Sequence, residues 1–518
     1  MGLNVVLAAI LLCTVAVSKW ISTGRRRLPP GPPQDPLIGN LRHLTSGCTE
    51  ETFRKWGKTY GSDIIHAKVF GRSIVILNSQ KAARDLMEKR SLNYSCRPRL
   101  VLIAELMGWD SVITNLPYGD RFRKHRRMIW DHFNPQSVMA FRPLQRSEAC
   151  VFLLGLAETP EELIRHVRRF TAATIMKIAY GHTVKSVDEL YVRLAEEAGY
   201  DTVTGSANYG AVLVDFFPAL KYIPSWMPGA GFKRRALETR EKVQQMLDAP
   251  FRMVQRRMAA GTAIPSFTSS LLVQSSSIGI ADEEDIKGAA GVLYAAATDT
   301  TTAMLESMFL LMVMHPAAFA RAQAEIDSII GRDRLPEFDD RSSLPYLDCV
   351  LKEIYRQCNA PSFVRRNPLT TDQPGLPHRS VNDDQYCGFD IPADTVVIPN
   401  IWAMTRDESI YANPNSFIPE RFLNQDRATA EVTDPRRLVF GFGRRECPGQ
   451  SFADANLWLI AACVLATFNV SPSYDEVISP PAVFVPGIVR HPAPFKCDIK
   501  LRPGRSLELI EQTAHVVA

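Results

Sequence analysis

The sequence predicts a mainly α protein: one large helical domain with a minor β-sheet region, behind a single N-terminal membrane anchor. Three observations lead there. Apolar residues recur at helical spacing from about residue 50 to 330. β-like runs are few and short, and neither an internal repeat nor a low-complexity linker follows residue 40. At roughly 100–200 residues per domain, 518 residues suggest about three or four domains, but the unbroken helical patterning favours one. A composition of 46% hydrophobic and 22% charged residues excludes a disordered chain. The many long apolar runs of a polytopic transporter are missing. Sixty Lys+Arg against 55 Asp+Glu leave +5, too weak for nucleic acid but enough for a modest basic docking face. Ten cysteines with no CxxC pair read as mostly free thiols in a reducing compartment.

Taken in order, residues 1–22 form the expected anchor. The stretch 3–21 is largely apolar, about the length a helix needs to span a bilayer, and Trp20 suits an interface. A cleaved signal peptide is the competing reading, but a charged n-region and a small-residue cleavage site are missing. Arg25, Arg26 and Arg27 then place the body in the cytosol. Leu28-Pro29-Pro30-Gly31-Pro32-Pro33 can be neither helix nor central strand, so residues 23–40 read as a basic, stiff hinge. The domain itself is expected over 41–518. Its helical periodicity is clearest at 163–180, 191–198, 232–253 and 286–314, the last apolar nearly all round and therefore buried. It stops before His315-Pro316. Strands are expected at 64–70, 73–77 and 395–398.

The sharpest motif is Phe440-Gly441-Phe442-Gly443-Arg444-Arg445-Glu446-Cys447-Pro448-Gly449. A metal-binding thiolate needs support for its charge and a backbone able to turn N–H groups toward sulfur. The glycines and Pro448 allow that turn and a helix after it. Arg445, two residues before the cysteine, can reach an anionic cofactor edge. Gly441 and Gly443 do not open a dinucleotide loop, because Glu446 occupies the third glycine position. A merely buried thiol is the bland reading of an isolated cysteine. The full pattern resembles the haem-binding loop of the cytochrome P450 family, F-x-x-G-x-R-x-C-x-G, at every fixed position.

That resemblance implies Cys447 as the axial thiolate of haem b, with Phe440 and Arg445 beside the cofactor. Glu353-Ile354-Tyr355-Arg356 is by itself only an ion pair three apart on a helix. With Pro419-Glu420-Arg421-Phe422 it resembles the family's E-x-x-R and P-E-R-F elements, implying a buried structural network of Glu353, Arg356 and Arg421. Ala296-Ala297-Thr298-Asp299-Thr300-Thr301 sets a carboxylate and hydroxyls in an apolar helix, where a threonine bonding back to the preceding turn is the bland alternative. It resembles the oxygen-activation motif, which implies Asp299 and Thr300 as the proton-delivering acid–alcohol pair. Ala297 stands where glycine is common. Gly119 to Arg127 is a charge run, ordinarily a solvated face. Its family counterpart W-x-x-x-R implies a propionate contact for Arg126, while Phe122 replaces the tryptophan. Lys124 and Arg127 are candidates for a face docking an acidic reductase, and His378 is a weaker propionate candidate.

After Arg356 the residues Gln357 to Arg366 intervene where the family turns at once into a proline turn. They are either an inserted loop or a retained non-coding stretch. Candidate cavity walls at 102–109, 209–217, 294–300 and after Arg366 are apolar and aromatic, so a lipophilic small molecule is expected. The run from Asp215 to Gly229 resembles fungal secondary-metabolism members, of the O-methylsterigmatocystin oxidoreductase-like group. The resemblance implies a microsomal monooxygenase that takes O2 and electrons from NADPH-cytochrome P450 reductase, with terpenoid substrates favoured. Its location would be the endoplasmic reticulum membrane, single-pass, with the catalytic domain cytosolic. Two other classes stay open from the residues: a haem-thiolate isomerase or dehydratase needing no reductase, and a non-enzymatic haem sensor.

Overall fold

The computed structural model describes residues 26–44, 49–206, 209–278, 282–358, 375–473, 484–485, 489–504 and 506–517. The anchor expected over 1–22 lies outside them, as do residues 359–366 of the extra segment. Among the described residues no single helix is long and apolar enough to cross a membrane.

Eight helices position the site: α1 (Asp120–Phe133), α2 (Arg142–Glu158), α3 (Leu163–Tyr180), α4 (Leu190–Ser206), α5 (Gly231–Ala259), α6 (Glu283–Met314), α7 (Pro345–Gln357) and α8 (Gln450–Thr467). α3 has the expected bounds. α4 and α5 run further than their clearest apolar periodicity, and α5 continues past Pro250. In α6, Glu283, Glu284 and Asp285 fill the first turn, where negative charge complements the helix dipole. The helix ends at His315 because Pro316 opens the next one, which leaves at 103°. Near its start a Cβ on Gly288 would come 2.2 Å from the Ser111 carbonyl oxygen, so α6 approaches that segment on bare backbone.

Two apolar clusters hold the helices. Leu153, Phe170, Phe309, Leu347 and Trp458 join α2, α3, α6, α7 and α8 in one. Ile129, Phe133, Met176, Tyr294 and Phe452 join α1, α3, α6 and α8 in the other. Burying each large apolar side chain contributes about 1.5–3 kcal/mol, so these clusters dominate the fold's stability.

The main sheet is built from β1 (Ile64–Val69), β2 (Arg72–Leu77), β3 (His378–Arg379) and β4 (Val396–Pro399), in the order β1-β2-β4-β3. β1 and β2 form a hairpin whose turn residues Phe70 and Gly71 both take positive φ, the geometry that matches strand twist. β2 runs parallel to β4, with Ile74 opposite Val396, and β3 closes the edge antiparallel. Alternate residues feed two cores, Val75 and Leu77 on one face and Ile74 and Ile76 on the other.

The described part of the expected hinge is not a free spacer. The backbone N–H of His66 donates to the Pro30 carbonyl at 2.9 Å, and Asn40 donates to the carbonyls of Pro32 and Pro33. Arg26 pairs with Asp383 and the Arg27 backbone exchanges bonds with Asp390. Proline's carbonyls are ordinary acceptors, so a proline-rich strand can be bonded from outside although it cannot donate. The basic cluster is thus partly spent on the domain.

Candidate active site

Cys447 sits in a loop that closes on itself. Its backbone N–H donates to the Phe440 carbonyl at 2.7 Å, and two residues later Gly449 caps α8. Gly443 has φ +54, and a Cβ there would lie 2.4 Å from the Met87 carbonyl oxygen, so only glycine permits this approach. Cys447 is accessible to solvent, although protein surrounds the thiol on most sides. Burial raises its pKa. The backbone N–H of Gly449 and the charge of Arg126 pull the other way, and Glu446 adds to burial's effect. Metal coordination would hold such a sulfur as thiolate outright.

Around it lie three arginines with no carboxylate partner among the described residues. Arg126 on α1 donates to the Glu446 carbonyl. Arg445 donates to the carbonyls of Ser95, Ile113 and Leu116 at 2.7, 3.0 and 2.6 Å, spending three of its five N–H groups. Arg97 bonds the carbonyls of Thr114, Leu376 and Pro377. Burial pushes Arg97 down to about 9 and Arg445 to about 10, and both stay charged at neutral pH. Arg97 carries no local motif and was not expected from the sequence. Carbonyl dipoles fix these forks without neutralising them, and a dianionic cofactor edge matches the donor set.

His378 Nδ1 lies 2.6 Å from the Tyr94 carbonyl, which only accepts, so Nδ1 carries a proton and the ring is fixed. Burial first, and then the charge of Arg97, hold its pKa well below the ordinary value, and an anionic group beside Nε2 would act in the opposite direction. Lys124 is paired and partly exposed: it meets Asp282 and Asp285 at 2.6 and 2.7 Å and ties α1 to α6. Arg127 remains exposed.

Behind the loop, Glu353 and Arg356 are fully buried and pair bidentately at 2.7 and 2.8 Å. Arg421 stands 3.3 Å from the same carboxylate. Arg356 also donates to the carbonyls of Thr405, Pro414 and Ser416, so its charge is fully solvated by protein. Between the pair in sequence, Tyr355 packs edge-on against Phe440 at 5.4 Å and couples α7 to the cysteine loop.

α6 is buried on both sides of a short accessible stretch containing Ala296, Asp299 and Thr300. Thr300 Oγ1 donates to the Ala296 carbonyl at 2.7 Å, the back-bond of a helical threonine. Thr298 Oγ1 is buried and unpartnered. Asp299 bonds His491 at 2.9 Å, and the other ring nitrogen of His491 bonds Glu306 at 2.9 Å. Burial opposes the charge on His491, but the two carboxylates outweigh it and push its pKa up to about 9. Neither His491 nor Glu306 was expected from the sequence.

A family model described as Cytochrome P450 matches residues 29–499. The chain is 40% identical over 517 residues to cytochrome P450 monooxygenase 176 of Postia placenta, covering 98% of this chain and 97% of that one. It is 41% identical over 494 residues to the monooxygenase claR of Ampulloclitocybe clavipes, covering 94% and 88%. It is 37% identical over 505 residues to the monooxygenase ple1 of Rhodocybe pseudopiperita, covering 96% and 94%. The fold and the thiol–arginine site are those of a haem-thiolate oxygenase. The chain belongs to the cytochrome P450 family and is a monooxygenase whose cofactor is haem b, bound through a cysteine thiolate. Monooxygenases of this family use O2, a substrate and a redox partner, which sets aside the reductase-free and sensor readings.

Proposed function

We propose that this chain inserts one oxygen atom of O2 into a lipophilic terpenoid in fungal secondary metabolism, with Cys447 as the axial thiolate. The observation that carries this reading is the accessible yet enclosed Cys447 among the cations Arg97, Arg126 and Arg445. Those arginines would hold the propionates, and Phe440 would pack beside the ring. When bound, haem supplies activation of dioxygen. Asp299 and Thr300 carry the protons: Asp299 is half exposed, and the back-bond of Thr300 leaves its oxygen lone pairs to accept. Apolar residues Leu102, Leu106, Trp109 and Val214 pack together, and this cluster would supply walls for a lipophilic ligand. Glu353, Arg356 and Arg421 are structural and brace the loop through Tyr355.

The electron donor in this reading is NADPH-cytochrome P450 reductase, an acidic partner meeting the face that includes Arg127. Residues 1–22 anchor the chain in the endoplasmic reticulum membrane, 23–40 lead to the body and 41–518 form a cytosolic catalytic domain. Exposed Tyr222 and Trp226 suit an adjacent lipid interface. Coexpression with the reductase, a panel of terpenes and product mass analysis test the substrate class. Oxygenated terpenes are expected from the wild type, while Thr300→Ala keeps consuming NADPH and loses product several-fold. NADPH consumption without any oxygenated terpene contradicts the substrate class, and full product yield in Thr300→Ala contradicts the relay.

A further inference from the structure

We propose that His491 is a positioning residue for proton delivery, a charged strap that ties Asp299 to the buried Glu306 and fixes the Asp299 carboxylate. The proposal rests on reading Asp299 as the acid of the oxygen-activation motif. Asp299 and Glu306 are seven residues apart on α6, roughly two turns, and so share a face. Among the described residues each has His491 as its ion-pair partner and no other. Glu306 is 6% exposed, and an ionised carboxylate so buried demands a counter-charge. A neutral imidazole has one N–H, and both ring nitrogens of His491 face carboxyl oxygens at 2.9 Å, so between two carboxylates the ring donates at both and carries charge.

The strap is itself held. His491 lies in the two-residue strand His491–Pro492, opposite Val485 of Phe484–Val485. The preceding Arg490 pairs with Glu50 of the helix Thr49–Tyr60, so the nearby cation is already matched. Among the described residues the charged groups near the ring are Asp299 and Glu306 from α6 and the Arg490–Glu50 pair from its own strand and the amino-terminal helix. With Oδ1 of Asp299 tied to His491, Oδ2 is left to take and release a proton in a fixed orientation. Losing the ring proton breaks one of the two bonds and frees that carboxylate to rotate.

The test uses the full-length, haem-loaded protein in its reduced, carbon-monoxide form, labelled with [13Cε1]histidine and titrated by NMR. One resonance, absent from His491→Gln, is expected to stay imidazolium-like up to about pH 9 and to lose at least about ten-fold in proton affinity in Asp299→Asn and in Glu306→Gln, as a removed counter-charge requires. In parallel, product formed per NADPH is measured with the reductase and 7-ethoxycoumarin as probe. That ratio is expected to fall several-fold in His491→Gln, to recover in His491→Arg, and in wild type to drop as pH rises past about 9. A His491 resonance titrating near the ordinary histidine value overturns the proposal. So does an unchanged ratio in His491→Gln beside a lowered one in Asp299→Asn. An unchanged ratio in Asp299→Asn instead overturns the reading of Asp299 as the acid.

Discussion

The guanidinium of Arg445 lies 3.9 Å from the centre of the Phe122 ring. This contact gives Phe122 a role at the position where the W-x-x-x-R pattern that the segment resembles has tryptophan. Phe122 has no N–H to offer a propionate, but its ring face attracts the buried cation and packs beside Tyr118. Phe122→Leu keeps most of the apolar volume and removes the ring. The expected loss is about 1–3 kcal/mol of stability, from the cation–π contact and the imperfect packing together. Haem retained after gel filtration should fall with it, and Phe122→Trp should retain both.

Arg356→Leu removes the bidentate partner of Glu353 at a site with no exposure and leaves only Arg421 at ion-pair distance. Breaking such a pair costs about 3–5 kcal/mol, enough to unfold a domain of ordinary stability. The thermal midpoint should drop by many degrees, and haem content should fall further than in Phe122→Leu. The double variant Glu353→Met/Arg356→Leu should recover part of that loss, because the fully buried pair leaves together, while Arg421 keeps only its backbone carbonyl partners.

Asp215 gives a pH-dependent prediction. Its Oδ1 accepts the Leu102 backbone N–H at 2.9 Å, and burial pushes its pKa up to about 6, with backbone bonds and Arg72 opposing. A carboxyl whose pKa is raised on folding binds more protons folded than unfolded, so stability falls as pH rises from about 4 to 6. Asp215→Asn keeps the acceptor and removes the titration. It should match wild type near pH 4 and exceed it above pH 6 by about 1–3 kcal/mol, read from denaturant midpoints.

What the sequence made legible was local. The cysteine loop, the Glu353/Arg356 spacing and the apolar run of α6 are contiguous signals, and the structure places Tyr355 and Phe440 so that two of them touch. The residues that were not legible are joined only by the fold. His491 reaches α6 from 192 residues away, and Arg97 meets the Leu376 and Pro377 carbonyls from 279 and 280 residues away. A lone histidine or arginine leaves no periodic trace to read. The pairing of Lys124 was hidden for the opposite reason: in sequence it is one charge in a run, and only packing reveals its partners Asp282 and Asp285. The same applies to Arg26, which Asp383 engages.

The central claim is that Cys447, alone of the ten cysteines, ligates the haem iron. The most direct measurement is the carbon-monoxide difference spectrum of the reduced protein, wild type against Cys447→Ala and against Cys387→Ala, an exposed thiol outside the loop. Wild type and Cys387→Ala should both give the red-shifted Soret band that thiolate ligation produces, and Cys447→Ala should lack it. A red-shifted band that survives in Cys447→Ala would contradict the account.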